Sequence, residues 1–404
     1  MEYFIARQPV FYASKSVFGY ELLFRNGFEN CCTSIDGDNA TLEVLAATLF
    51  HTPFLEMVGG KHGLVNFTRK LLLSDLVFLF EKDHMVIEVL ETVQADHAVI
   101  AACARLKNAG YTIALDDFVA GDLEHPLLNL ADIVKVDFMK AQCEERKTIA
   151  EKLLPRKIKL LAEKVETHAD VKQGLQLGYE FFQGYFFNKP VMKTLQRMPP
   201  SGAACLRMLQ MIAKDDFTFE ELNDVVRSDI SLCYRVLRLM NSALFSFRPE
   251  ITSTFHALTL LGRAHIRRFV SIVAVNLLSA SKPSELALTA MIRAKLAEDM
   301  ATRIGFAPRA PEFFLMGLFS LMDAMMDRPM QDVMADLPVS QDVKTALLAG
   351  DNAMRVTLDA IVAYETADWE TLTEKAGRLG LDQDALPPMY AAAIKWAGEL
   401  AQSA

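Results

Sequence analysis

Short apolar runs alternate with longer helix-like stretches over the first half of the chain, and this pattern predicts eight β-strands. Between the later runs lie helix-period stretches such as Asp96 to Asn108, which ends before Gly110. Only about ten residues separate the first two runs, too few for the crossover that joins parallel neighbours. The first strand should therefore run antiparallel to the second, and we predict an α/β fold, a modified TIM (β/α)8 barrel, over residues 1–192. The predicted strands are Phe4–Gln8, Tyr20–Phe24, Leu64–Phe67, Val86–Val89, Thr112–Asp116, Ile133–Val136, Leu160–Glu163 and Phe181–Gln183.

Polar residues stand at or near the ends of most of these runs, where a barrel gathers them at one mouth. Clustered carboxylates repel each other by about 4 kcal/mol per close pair at an effective dielectric of 20, unless cations offset the charge. The near absence of Cys and His from the set favours a hard ion such as Mg²⁺ or Mn²⁺ over zinc. Such a site suits hydrolysis of a phosphate ester, with a lysine to stabilise developing negative charge and a carboxylate as base. The residues concerned are Glu21, Asn66, Glu88, Asp116, Asp117, Lys135, Glu163 and Gln183.

At these positions the chain resembles the EAL family of cyclic di-GMP phosphodiesterases. The matching segments follow the family's order and span residues 1–190. They are Gln8-Pro9, Glu21-Leu22-Leu23-Phe24-Arg25, Val65-Asn66-Phe67, Ile87-Glu88-Val89-Leu90-Glu91-Thr92, Asp116-Asp117-Phe118, Lys135-Val136-Asp137, Ala162-Glu163-Lys164-Val165-Glu166-Thr167 and Gln183-Gly184-Tyr185-Phe186-Phe187-Asn188-Lys189-Pro190.

The resemblance implies a role for each matching residue. It implies metal-dependent opening of cyclic di-GMP to linear pGpG, with Mg²⁺ or Mn²⁺ as cofactor and Ca²⁺ as an inhibitory ion that supports binding without turnover. Glu163 would be the general base, and Lys135 and Glu91 would also belong to the catalytic set. The remaining assignments are Glu21, Asn66, Glu88 and Asp116 as ligands of one metal, Asp116 and Asp117 as ligands of a second, and Gln8, Arg25, Asp137 and Gln183 as contacts to the dinucleotide.

Two departures from the family's motifs bear on turnover. Val119 replaces the first glycine of the D-D-F-G-T-G loop, and a β-branched residue would be strained there if the position needs a positive φ. Slow or undetectable hydrolysis is the expectation in that case. Lys164 replaces the glycine of the family's E-G-V-E-T and places a long cation beside the base. An active phosphodiesterase and a catalytically inactive receptor or scaffold therefore both remain open.

The second half of the chain is predicted to be all helical. The stretch 193–203 contains Pro199-Pro200 and reads as a linker, and Thr218-Phe219-Glu220-Glu221 forms a capping box ahead of a helix. A further helix is predicted to open at Asp229. Residues 204–404 resemble the HDOD domain with a C-terminal helical extension, through the segments from Ser228 to Ala243, Ala257 to Gly262 and Gly317 to Asp323.

HDOD domains lack the His-Asp metal pair of the related HD hydrolases. This half of the chain has only His256 and His265 and no His-Asp dipeptide, too few ligands for a metal centre. The resemblance therefore implies an output module that binds a protein partner. The whole chain is similar to EAL–HDOD signalling proteins of bacteria. The altered loop belongs to the region through which EAL domains often pair, so a homodimer and a monomer both remain open.

Composition narrows the partners and the compartment. A formal net charge of −9 over 404 residues disfavours nucleic acid and an anionic membrane surface as partners. The six cysteines include no C-x-x-C pair, which favours the reducing cytoplasm. The longest uncharged apolar stretch, residues 269–281, is well short of the roughly 20 residues that span a bilayer.

Overall fold

The computed structural model describes residues 3–26, 54–74, 76–184, 186, 207–212, 217–228, 236–237, 240, 253–279, 282–337 and 339–403. The chain divides into two compact units, residues 1–186 with 365–367 and residues 187–364 with 368–404. The predicted linker at 193–203 and the helix start predicted at Asp229 lie outside the described residues. The domain boundary therefore stays a prediction.

The first unit is a closed barrel of eight strands in the described part of the chain, ordered β1 to β8 around the ring. Each predicted strand is confirmed. The strands are β1 (Tyr3–Tyr12), β2 (Val17–Asn26), β3 (His62–Phe67), β4 (Met85–Val89), β5 (Thr112–Leu115), β6 (Ile133–Asp137), β7 (Lys159–Glu163) and β8 (Phe181–Gln183).

Strand polarity follows the length of the connections. β1 is antiparallel to β2 and also to β8, while neighbours from β2 through β8 are parallel. The expected antiparallel first strand is therefore confirmed. β1 continues past Pro9, which pairs with Tyr20, whereas pairing to β8 begins only at Val10. With ladder bonds on one side only, the strand tolerates a residue without an N–H group.

Helices of the barrel unit connect the strands on the outside. The helix predicted from Asp96 is confirmed: the Asp96 side chain caps it by accepting a hydrogen bond from the Val99 amide at 2.9 Å. It ends before Gly110, as predicted. The helices are α1 (Phe54–Met57), α2 (Arg69–Leu72), α3 (His97–Asn108), α4 (Cys143–Leu153) and α5 (His168–Leu177).

A layer of apolar side chains fills the barrel below its mouth. Because side chains alternate faces along a strand, every second residue points into the barrel, and these residues close it to water. The layer consists of Val10, Phe18, Leu64, Val86, Ala114, Ile133, Leu161 and Phe181. On each parallel strand the next inward-facing residue therefore lies nearer the mouth, directly above this apolar layer, which we call the floor.

The second unit is helical, as predicted. The Thr218 capping box is confirmed, since the Thr218 side chain accepts from the Glu221 amide at 3.2 Å and the Glu221 side chain accepts from the Thr218 amide at 3.1 Å. Gly262 adopts φ 67° and kinks a 25-residue helical segment. The described helices are α6 (Phe219–Arg227), α7 (Thr254–Leu278), α8 (Ser284–Arg303), α9 (Ala310–Phe319), α10 (Met322–Met326), α11 (Met330–Asp336), α12 (Gln341–Leu347), α13 (Ala353–Glu365), α14 (Trp369–Leu379) and α15 (Leu386–Ser403).

The core of the helical unit is rich in fully buried aromatic and aliphatic side chains, among them Phe269, Phe313, Phe319 and Tyr364. Within the described ranges, every helix is too short or too polar to cross a lipid bilayer.

Candidate active site

A ring of polar side chains lies directly above the apolar floor of the barrel. Apart from Glu21, which stands three residues after Phe18 on β2, each member stands two residues from a floor residue on its own strand or just past the strand's end. The period of two that puts Leu64 inside therefore also puts Asn66 inside. We call this set the polar ring; it consists of Gln8, Glu21, Asn66, Glu88, Asp116, Lys135, Glu163 and Gln183.

The Lys135 ammonium lies at the centre of the ring's carboxylates. Its Nζ is 2.8 Å from Glu88 Oε1 and 2.9 Å from both Asp116 Oδ1 and Glu163 Oε1. Glu21 Oε1 lies 3.4 Å from the same nitrogen. The Lys135 side chain is 0% exposed, so these contacts form in a medium of low polarity where charge pairs interact strongly.

Burial and unequal charge shift the ionisation of the ring. Burial raises the pKa of Glu88 well above its usual value, against the attraction of Lys135. Burial likewise raises the pKa of Glu163, from an ordinary 4.5 to about 7. Burial alone would lower the pKa of Lys135, but the attraction of four carboxylates outweighs it and the pKa lies well above its usual value. In the absence of another cation, Glu88 and Glu163 therefore retain protons at pH values at which isolated carboxyl groups would have lost them.

Gln183 and Gln8 close the ring across the seam between β8 and β1. Gln183 Nε2 donates to Glu21 Oε2 at 2.5 Å and to Gln8 Oε1 at 3.2 Å. The chain turns sharply after Gln183: Gly184 has φ 144°, and a Cβ there would lie 2.2 Å from the Val165 carbonyl oxygen. Only glycine permits this close approach, which fixes the end of β8 against the turn that follows Glu163.

A second set of charged side chains lies at the exit of β5, β6 and β7. We call Asp117, Asp137, Lys140 and Lys164 the mouth layer. Asp137 Oδ2 is 2.6 Å from the Lys164 Nζ, and Asp117 Oδ2 is 2.6 Å from the Lys140 Nζ. Asp137 Oδ1 also accepts from the backbone amides of Met139 and Lys140 at 2.8 and 3.1 Å. Both Asp137 oxygens are thus already engaged.

Two other predicted residues, Glu91 and Arg25, follow the ring members of β4 and β2 along the chain. Glu91 stands in the turn after β4 and is exposed, three residues beyond Glu88. The backbone of Arg25 pairs with Phe4 on β1, and its side chain is outside the described part of the structure. The lysine partners of Asp117 and Asp137 were not predicted from the sequence. Lys140 follows Asp137 by three residues and could have been inferred as its local ion-pair partner.

The ring offers the kind of ligand atoms, carboxylate and amide oxygens, that a hard divalent cation prefers. It offers carboxylate oxygens with excess negative charge, and Asn66 Oδ1 is buried with no hydrogen-bond partner among the described residues. In the present arrangement Lys135 occupies the centre, and no three acidic, His or Cys side chains in the described ranges converge as metal ligands. An ion bound by Glu21, Asn66, Glu88 and Asp116 would thus compete with the Lys135 ammonium for these oxygens.

Sequence comparison places this geometry among known proteins. The profile of the EAL domain matches residues 67–190, and the profile of the HDOD domain matches residues 198–346. YuxH of Bacillus subtilis is 33% identical over 408 residues, covering 99% of each chain. The cyclic di-GMP phosphodiesterase CdgJ of Vibrio cholerae is 30% identical over 400 residues, covering 98% of this chain and 93% of its own.

The chain belongs to the EAL–HDOD family. Both curated relatives align along nearly their whole length, so the order of the two domains is shared with them. Among solved structures, the Bacillus subtilis YkuI protein, which has an EAL domain and was determined in complex with substrate cyclic di-GMP and calcium, is 20% identical with a TM-score of 0.39. That match covers 65% of this chain and 73% of YkuI.

The two lost EAL-domain glycines have different structural consequences. Val119 has φ −119° and ψ 160°, an extended conformation that a β-branched residue favours. The condition for strain at Val119, a positive φ, is therefore not met in this structure. The loop is held instead by the Ala120 amide, which donates to Glu145 Oε1 on α4 at 3.0 Å. Lys164, in contrast, has φ 52°, in the left-handed region that glycine enters without cost. Backbone strain from a lost glycine therefore lies beside Glu163.

Lys135 should be the residue whose charge most stabilises the barrel. We expect Lys135→Met to lower the free energy of unfolding by about 3–5 kcal/mol in metal-free protein, because it leaves buried carboxylates without their partner. Both tryptophans, Trp369 and Trp396, belong to the helical unit, so hydrogen exchange of peptides from β4 to β7 is the appropriate measurement. Lys159→Met is the matched control, since Lys159 pairs with Glu180 at 2.9 Å but is 50% exposed. Equal effects of the two substitutions would contradict the assignment.

Glu163 should make the stability of metal-free protein depend on pH. Its pKa is raised on folding, so the folded state keeps a proton that the unfolded state releases above pH 4.5. This contribution is fully present below pH 4.5 and is lost as the pH rises to about 7, a change of at most about 3 kcal/mol. Glu163→Gln should flatten this part of the stability profile, measured by hydrogen exchange of the barrel peptides in EDTA. The control is Glu81→Gln, at an exposed glutamate. A dependence of stability on pH that Glu163→Gln leaves unchanged, or that Glu81→Gln flattens equally, would contradict the prediction.

Proposed function

We propose that the barrel binds cyclic di-GMP and hydrolyses one of its phosphodiester bonds to give linear pGpG. The observation that carries the proposal is the polar ring, whose acidic, amide and lysine side chains converge on a water-excluding floor. The relationship to the phosphodiesterase CdgJ along 98% of the chain supports the same substrate.

Several members of the ring, together with Arg25, would have a chemical task in this reaction. Glu163, with its pKa raised to about 7, can take a proton from an attacking water near neutral pH. The Lys135 ammonium can stabilise negative charge that develops on the phosphate oxygens in the transition state. The amides of Gln8 and Gln183 and the guanidinium of Arg25 would contact the dinucleotide, with Arg25 suited to forked hydrogen bonds with phosphate.

A divalent cation belongs to this proposal. The oxygens of Glu21, Asn66, Glu88 and Asp116 would hold Mg²⁺ or Mn²⁺, which would act as a Lewis acid on the phosphate. The Asn66 oxygen, which has no hydrogen-bond partner in the described part of the chain, and the excess negative charge of the ring support that assignment. Ca²⁺ would occupy the same oxygens without supporting turnover.

The helical unit would be an output module that binds a protein partner. Its match to the HDOD domain over residues 198–346 supports that role. Its two histidines, His256 and His265, are both exposed on α7 and nine residues apart, which does not suit a shared metal. Signalling would then consist of a barrel that senses cyclic di-GMP and a helical unit that passes the signal on.

A catalytically inactive receptor is the second candidate. The observation that favours it is the Lys140–Asp117 ion pair, which occupies a carboxylate next to the ring. A receptor would bind cyclic di-GMP with Ca²⁺, Mg²⁺ or Mn²⁺ alike and release it unchanged.

Metal binding should stabilise the barrel unit selectively. A ligand that binds only the native state at 100 times its Kd adds about 2.7 kcal/mol, so saturating Mn²⁺ should raise the Tm of the barrel transition in calorimetry. Glu88→Gln and Asp116→Asn should each reduce that rise, because each removes one anionic oxygen donor. Asp122→Asn, at an exposed aspartate near Asp116 in sequence, should leave it unchanged. Absence of any rise in the unmodified chain would mean that Lys135 and retained protons offset the charge of the ring without a metal ion.

Product analysis with the full chain tests the proposed reaction. We expect linear pGpG from cyclic di-GMP with Mg²⁺ or Mn²⁺, and a rate lower by about 10²–10⁴ in Glu163→Gln, which removes the base. Calorimetry with Ca²⁺ should still detect binding by Glu163→Gln but weaker binding by Arg25→Ala. Glu180→Gln, at the opposite end of the barrel beside Lys159, is the control and should retain activity.

The same assay separates the two candidate functions. Binding without turnover in the unmodified chain would establish the receptor, and absence of binding would reject both. Because Val119 is extended, Val119→Gly should change the rate by less than about twofold. A large gain from that substitution would show that the loop must adopt another conformation during the reaction.

A further inference from the structure

The mouth layer is a complete network of alternating charges. Lys164 pairs with Asp137 and Lys140 pairs with Asp117, each at 2.6 Å. Lys140 Nζ also lies 3.8 Å from Asp137 Oδ2, so the network joins the ends of β5, β6 and β7. Asp137 is 5% exposed, whereas Lys140 and Lys164 are 64% and 51% exposed. The ammonium groups thus cover the aspartates from the solvent side.

The charge balance of the mouth layer differs from that of the polar ring beneath it. In the mouth layer two ammonium groups face two carboxylates, and the formal charge sums to zero. In the ring one ammonium group faces four carboxylates. A divalent cation therefore offsets unbalanced charge in the ring but would add excess positive charge at Asp117.

The backbone at Lys164 is strained in a way that glycine at this position would avoid. Lys164 holds φ 52°, a conformation that costs free energy for any residue with a Cβ and none for glycine. Its neighbours fix that conformation: the Phe138 amide donates to the Glu163 carbonyl at 3.0 Å, and the Val165 amide donates to the Gln183 carbonyl at 2.9 Å. The residue that bears the strain is the one that delivers an ammonium group to buried Asp137.

We propose that Lys140 and Lys164 take the place of a second divalent cation at Asp117, so that this barrel holds one such ion, in the polar ring, and not two. The inference rests on the proposed function only for the ion in the ring. Asp117 is the ligand that a second ion would need in addition to Asp116, and its Oδ2 is already paired with Lys140. Lys164 strengthens the exclusion, because it holds Asp137 and adds a second positive charge to the same layer.

Counting bound Mn²⁺ on the full chain tests the inference. Metal-free protein is titrated with Mn²⁺, and free Mn²⁺ is followed by its electron paramagnetic resonance signal. We expect one tightly bound ion per chain for the unmodified protein and two for the double variant Lys140→Met with Lys164→Gly. Adding Asp117→Asn to that double variant should return the number to one, because it removes the carboxylate that the second ion requires. The readout is a stoichiometry and does not depend on turnover.

A matched double variant tests whether removing any two lysines, one of them with a positive φ, is enough to change the number of bound ions. Lys15 has φ 67° in the β1–β2 turn, at the floor end of the barrel, and Lys147 pairs with Glu151 at 3.9 Å on α4. Lys15→Gly with Lys147→Met therefore removes one strained lysine and one ion pair outside the mouth layer, and should still bind one ion.

The outcomes of the count are distinct. Two ions on the unmodified chain, or one on the mouth-layer double variant, would overturn the inference while leaving the ring site in place. A second ion on the control variant would also overturn it, because the gain would then follow from general charge. No bound ion on any chain would reject the ion in the ring, and with it the metal part of the proposed function.

Discussion

The barrel is organised around one constraint, the placing of four carboxylates around a single buried ammonium group. Lys135 can be fully buried only because acidic oxygens surround it, and those acids can be buried only because Lys135 is there. The apolar floor beneath them removes water, which strengthens each attraction and raises the cost of any unpaired charge. Closure of the sheet is what brings the five side chains together, since they come from β2, β4, β6, β7 and the end of β5.

The excess of negative charge can be reduced by protons, by a metal ion or by lysine side chains. Protons reduce it in the ring, where burial raises the pKa values of Glu88 and Glu163. A metal ion would displace those protons, which would link the protonation of Glu163 to the cation beside it. Lysine side chains reduce it in the mouth layer, where Lys140 and Lys164 lie on the solvent side. The formal charge of the mouth layer thus sums to zero without a metal ion, and that of the ring does not.

Sequence alone predicted the strands and the residues that face one another because both follow from a period of two and from polar residues at strand ends. It did not predict the length of β1, since Pro9 reads as a strand end until its pairing on one side only is known. It identified two lost glycines but assigned the strain to Val119. Which position needs a positive φ depends on the path of the loop. The hydrogen bond from the Ala120 amide to Glu145 leaves Val119 extended. The turn after β7, which packs against the turn at Gly184, holds Lys164 in the left-handed region.

The antiparallel first strand gives the barrel mouth a high side and a low side. β1 and β2 remain paired out to Tyr3 and Asn26, five residues beyond the ring at Glu21, at roughly 3.3 Å of rise per residue. The strands from β5 to β8 end within two residues of the ring. Among the described strands a ligand therefore meets a wall on one flank and an open rim on the other. A flat dinucleotide entering over that rim would meet the exposed ammonium groups of Lys140 and Lys164 before it reaches the buried acids of the ring.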